Sequence, residues 1–170
     1  MAADRRYWDS NAFLGWLSNE KDKAEDCGAV IDAAMEGRLE IVTSALSLTE
    51  VIRKKGAKRI PKDDERKIRE FFEWPWIVVR TVDRFVAERA RELIWEHDLK
   101  SADAVHLATA LLLKLSIMDT YDVELIALDG KLGNPPLRIG HPSLPHTPDL
   151  FPGTKQEAPA KPRKRRKKPA

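Results

Sequence analysis

Glu40-Ile-Val-Thr43-Ser-Ala-Leu-Ser-Leu-Thr-Glu50-Val-Ile-Arg-Lys-Lys55 passes from a β-branched stretch straight into a helical one. Glu40 to Thr43 has the length and β-branched content of a short buried strand. Ser44 is a candidate cap for a helix that reaches Lys55 and is closed by Gly56. The same alternation continues in both directions. Upstream, Arg6 to Trp8 reads as a strand, Asp9-Ser10-Asn11 as a turn of helix-capping types, and Phe13, Leu14 and Leu17 as the apolar side of a helix. A second helix covers Ala24 to Met35, with Gly37 as its stop.

Downstream, Lys62 to Glu73 reads as a helix, and Trp76 to Val79 as a strand bounded by Pro75. Val82 to His97 places Val82, Phe85, Val86, Ala90, Leu93 and Ile94 near the i, i+3, i+4 spacing of one helical stripe. Ser101 is a candidate cap for a further helix, whose apolar residues from Ala104 to Leu115 face almost every side, as in a buried helix. Glu124 to Leu128 reads as the last strand, ending at Asp129-Gly130. Strands separated by helices of this length pair in parallel through right-handed crossovers. The expected fold is α/β, a three-layer α/β/α sandwich with a short, mainly parallel central sheet. Ligands in such folds bind beyond the carboxyl ends of the strands.

At 170 residues, 42% hydrophobic and 34% charged, the chain has the size and balance of one folded domain. Residues 1–8 carry charges with no apolar run behind them, so a secretory leader is not expected. The stretch from Ala102 to Met118 is broken by Asp103, His106 and Lys114 and is too short to span a bilayer. Cys27 is the single cysteine, which excludes an internal disulfide and a zinc knuckle and fits a reducing cytoplasm. The net charge of +3 is unevenly spread. Residues 153–170 hold eight basic residues against Glu157, a surplus of seven, which leaves residues 1–152 four charges negative. The expected organisation is a domain over 1–152 and a basic tail over 153–170 with nothing apolar to bury.

Four acids fall where such a fold collects a site. Asp9 and Asp129 stand at expected strand ends, and Glu50 and Asp103 in helices that follow short turns. Carboxylates gathered there would repel one another and hold protons unless a cation neutralised them. An oxygen-only set selects magnesium or manganese. Each acid also has an ordinary role open to it: Asp9 as a cap, Asp103 in a first helical turn, Asp129 in a turn with Gly130, Glu50 paired with Lys54.

Tyr7-Trp-Asp9-Ser-Asn11-Ala-Phe-Leu14, Thr43-Ser-Ala-Leu-Ser-Leu-Thr-Glu50-Val51, Leu99-Lys-Ser-Ala-Asp103-Ala-Val-His-Leu-Ala-Thr-Ala110 and Leu125-Ile-Ala-Leu-Asp129 resemble the successive motifs of PIN domains, in order, across about residues 5–140. The group they are most similar to is the VapC-like toxins of bacterial type II toxin-antitoxin modules. The resemblance implies that Asp9, Glu50 and Asp103 are metal-site acids and that Asp129 is the fourth. The family often carries a threonine just before that fourth acid, where this chain has Leu128. Asn11 matches a polar position beside the first acid and would orient a carboxylate or contact a phosphate oxygen. His106, on so apolar a helix, reads as a hydrogen-bonded core residue and not as a general base. Ser44 and Thr49 read as cap and packing residues, and the five tryptophans as core or interface packing.

The implied activity is metal-dependent hydrolysis of RNA phosphodiesters using Mg2+ or Mn2+. The implied partners are an RNA substrate, an antitoxin protein and a second copy of the chain. Attraction for RNA has to come from elsewhere, from the tail or from the basic run Arg53, Lys54, Lys55, Lys58 and Arg59, which also reads as an ordinary solvated charged face. A nuclease outside any toxin module, and a PIN-like binding module that does not cut, are the alternatives.

Overall fold

A computed structural model describes residues 4–19, 21–52 and 61–144. The strands β1 (Asp4–Trp8), β2 (Leu39–Ser44), β3 (Ile77–Arg80), β4 (Ile117–Asp119) and β5 (Arg138–Gly140) form one sheet in the order β3-β2-β1-β4-β5. Every neighbouring pair is parallel. From β1 the chain builds outward to β2 and β3, then returns to β1's other side with β4 and β5. The order therefore reverses between β1 and β4, and a parallel sheet opens a crevice at that reversal, beyond the strands' carboxyl ends.

The helices are α1 (Ser10–Leu17), α2 (Ala24–Met35), α3 (Ser47–Glu50), α4 (Lys62–Phe72), α5 (Arg84–His97), α6 (Ser101–Leu112) and α7 (Val123–Ile126). Side chains alternate faces along a strand, so the sheet feeds two separate cores. Tyr7, Val42 and Met118 join Leu93, Leu107 and Leu125 from α5, α6 and α7 on one face. Trp8 and Ile41 join Phe13, Val30 and Phe71 from α1, α2 and α4 on the other. Apolar helices on both faces make the three-layer α/β/α sandwich expected of the sequence. Phe71 gathers Trp16, Trp74 and Trp76 at ring separations of 4.9, 5.2 and 5.7 Å, so most of the tryptophans do pack, whereas Trp95 is exposed. Gly37 ends α2 as expected, at φ +73, with its N–H bonded to the carbonyl of Ala34.

Several local expectations are corrected. Glu124 to Leu128 is not a strand: Asp122 accepts the N–H groups of Glu124 and Leu125 and starts helix α7, of which Leu125 is the buried residue. A short apolar run fits either structure, and here the cap decides. The strand beside β1 is instead Ile117–Asp119, three residues merged in sequence with the apolar run of α6. The edge strand Arg138–Gly140 lies among prolines. Ser44 belongs to β2, and α3 has no side-chain cap at its preceding residue, Leu46. Ser101 is the first residue of α6 and is not its cap. The helix expected to reach Lys55 instead stops at Glu50, with Val51 at its end; Lys55 itself, the basic run Arg53 to Arg59 and the tail lie outside the described residues.

Candidate active site

Asp9 leaves β1 and caps α1 in one step. Its Oδ1 accepts the N–H of Ala12 at 2.9 Å, and its Oδ2 accepts the hydroxyl of Thr120. The side chain is buried, and that burial pushes its carboxyl above the ordinary carboxylate range against the opposing pull of His106 and of the two hydrogen bonds, with Asp122 adding to the rise. The cap and the site acid are thus one residue, because a strand end that opens a helix puts its side chain in the crevice.

Thr120 follows β4 on the other side of that crevice. Its hydroxyl gives its proton to Asp9, while its oxygen accepts the N–H of Asp122 at 2.9 Å. Asp103 stands in the first turn of α6, half-buried, and burial pushes it up to about 6, helped by the charges of Asp122 and Asp9. Among the described residues, carboxylate oxygens of Asp103, Asp122 and Glu124 lie within 4.8 Å of one another. Glu124 also takes an ion pair from Lys100 at 2.9 Å, at the exposed rim.

Glu50 ends α3, beside Ser10 and His106. Burial alone would raise its carboxyl, but hydrogen bonds from His106 and Ser10 outweigh it and hold Glu50 below the ordinary range. His106 Nε2 lies 2.8 Å from Glu50 Oε2, and Ser10 Oγ donates to the same oxygen. His106 is buried, as expected of a hydrogen-bonded core histidine. Ser44 is buried beside it and Thr49 bonds the carbonyl of Leu46. Asn11 is exposed on the first turn of α1.

Asp129 is placed elsewhere. Its Oδ1 accepts the N–H of Ile139 at 2.8 Å and the Arg138 side chain at 3.1 Å, and the first of these holds it below the ordinary range. It is an exposed residue tying the turn after α7 to β5. The acid whose charge reaches both Asp103 and Asp9 is Asp122, which the sequence reading missed. Its signal was Thr120-Tyr-Asp122, a threonine close before an acid; it went unread because the three-residue β4 ahead of it was not recognised.

A model of the PIN domain family matches residues 6–131 of the chain. The chain belongs to the PIN domain family. The match spans every element that contributes an acid to the crevice of this PIN domain, from β1 through α7. No curated protein matches the chain in sequence. Among solved structures, the PIN domain resembles a chain of a toxin-antitoxin complex from Klebsiella pneumoniae. The two share 24% identity at a TM-score of 0.54, over 72% of this chain and 90% of the other. At that identity the likeness speaks to the fold.

The crevice of this PIN domain fits a hard divalent cation. Its donors are carboxylate oxygens, the bonds reaching Asp9 come from a neutral hydroxyl and a neutral amide, and burial raises both Asp9 and Asp103. Acids so placed either hold protons or share a cation. No described helix is long and apolar enough to cross a membrane.

Proposed function

We propose that this PIN domain is a ribonuclease dependent on Mg2+ or Mn2+, and that it is the VapC-like toxin of a type II toxin-antitoxin pair. The observation that carries the reading is the convergence of Asp9, Asp103 and Asp122, with Glu50 beside them, at the reversal point of the sheet. Asp9, Asp103 and Asp122 would hold the ion, and Glu50 would complete its surroundings. A bound ion supplies positive charge for the phosphoryl oxygens and lowers the pKa of the attacking water.

The chain's own groups do the rest. Thr120 fixes the Asp9 carboxylate through its hydroxyl and the Asp122 backbone through its oxygen, so the acids on the two central strands keep one spacing. Asn11, exposed above Asp9, would contact a phosphate oxygen of the substrate. Asp103 and Glu50 differ in proton affinity, one raised and one lowered.

The solved neighbour is described as a toxin-antitoxin complex, which supports an antitoxin as partner and, with the family resemblance, a homodimer. RNA would be drawn by the basic residues of 53–59 and 153–170, since the acidic centre repels a polyanion. Deleting 153–170 should leave cleavage of a short oligonucleotide intact and weaken binding of long RNA at low salt.

The test incubates the wild-type protein and Asp9→Asn with total cellular RNA, with Mn2+ or with EDTA. Cleavage by the wild type with Mn2+ alone is expected. Cleavage that survives EDTA or the substitution would overturn the reading, and cleavage of DNA in preference to RNA would move the protein outside the toxin class.

A further inference from the structure

His106 is buried three residues after Asp103 on α6, and its ring bridges two elements that no backbone bond connects to each other at this point. On one side Nδ1 lies 2.8 Å from the hydroxyl of Tyr7, on β1. On the other, Nε2 lies 2.8 Å from Glu50 Oε2, at the end of α3. The Ser10 hydroxyl lies 3.3 Å from Nε2 and the Ser44 hydroxyl 3.5 Å from Nδ1.

The partners assign the proton. The Glu50 carboxylate only accepts, which puts a hydrogen on His106 Nε2. A neutral ring then leaves Nδ1 to accept the O–H of Tyr7, whose oxygen accepts the backbone N–H of Ser44 at 3.1 Å. The direction of the whole chain is therefore set: Ser44 N–H to Tyr7, Tyr7 O–H to His106, His106 Nε2–H to Glu50. Such an arrangement orients a carboxylate in the way that outer groups orient metal ligands elsewhere. It also occupies the nitrogen a general base would need.

Resting on the metal-site reading given above, we propose that His106, held as its Nε2–H tautomer by Tyr7, is the positioning residue that fixes the Glu50 carboxylate toward the ion. Glu50 sits at the end of the four-residue α3. The ring from α6, together with the Ser10 hydroxyl on α1, ties that end to the centre of the sheet.

The experiment measures Mn2+ binding to metal-free protein by calorimetry, for the wild type, His106→Leu, His106→Asn, His106→Gln and Tyr7→Phe, with thermal melts on each. A glutamine amide reaches the position of Nε2, whereas an asparagine amide reaches only that of Nδ1. His106→Gln should therefore bind Mn2+ within about threefold of the wild type, and the Leu and Asn variants about tenfold or more weaker. Equal affinity in all of them would overturn the proposal, and so would a rescue by Asn as good as that by Gln. Nitrogen NMR of the imidazoles reads the tautomer without any metal: a protonated Nε2 and a bare Nδ1 are expected for His106, with the preference lost in Tyr7→Phe. A protonated Nδ1 in the wild type would overturn the assignment even if His106→Leu failed to fold. A wild type that binds no Mn2+ would overturn the metal-site reading, and the inference with it.

Discussion

Asp9 and Asp119 end neighbouring central strands and are almost equally buried, at 2% and 1% exposure, yet the protein treats them in opposite ways. Asp119 receives the Arg6 guanidinium on both oxygens at 2.7 Å and the indole N–H of Trp8, also at 2.7 Å. Asp9 receives a hydroxyl and a backbone amide. Where an acid serves the fold, the chain brings its own cation. Where the proposed function needs an ion from outside, the chain offers neutral donors and leaves the charge unmet.

The comparison breaks first on activity. Asp9→Asn should lower RNA cleavage about 10³-fold, equivalent to about 4 kcal/mol of barrier, while the metal-free protein melts no lower than the wild type; steady-state rates and a thermal melt check both. Arg6→Met should do the reverse. It strands a buried carboxylate and should cost about 3–5 kcal/mol in a urea titration, with Mn2+ affinity of the folded protein unchanged. A loss below about 1 kcal/mol would mean that the pair is no more than a surface ion pair in strength.

A smaller effect separates the two acids by pH. Burial raises Asp9, Asp103 to about 6 and Asp119 to about 7, against the opposing pull of Arg6 in the last case. The folded protein then binds protons more tightly than the unfolded chain, so this stability is full below the unfolded carboxylate values and is lost as pH rises through 6 to 7. Glu50 works in the other sense, since its carboxyl is lowered. In EDTA the melting temperature should fall between pH 5 and 7.5, and Asp103→Asn should flatten that fall by about 3 °C. Saturating Mn2+ should remove most of it. A melting temperature that climbs with pH in EDTA would contradict the assignment of unmet charge. The smallest effect is expected at Asp129, where replacement by alanine should change activity less than about twofold, as befits an exposed turn acid.

The fold class was legible because β-branched runs alternate with amphipathic ones from Arg6 to Leu112, and periodicity over such lengths leaves little choice. The last third was not. Ile117–Asp119 is too short to show a period, and Val123–Ile126 reads equally as strand or helix until the Asp122 cap is seen. With that misreading Asp129 stands at the end of a strand that does not exist, and Asp122 is passed over. Asp9 and Glu50 were placed from strand-to-helix turns and Asp103 from the short turn between α5 and α6, positions that turn and capping residue types mark in the sequence. The role of His106 could not be read, because Tyr7 and Glu50 are 43 residues apart in the chain and meet only through the ring.

The most direct measurement is a calorimetric Mn2+ titration of metal-free Asp122→Asn beside Asp129→Asn. If the ion is held at the sheet's reversal point, Asp122→Asn weakens binding about tenfold or more and Asp129→Asn leaves it within about twofold. Weakening by Asp129→Asn with Asp122→Asn unaffected would contradict the site described here.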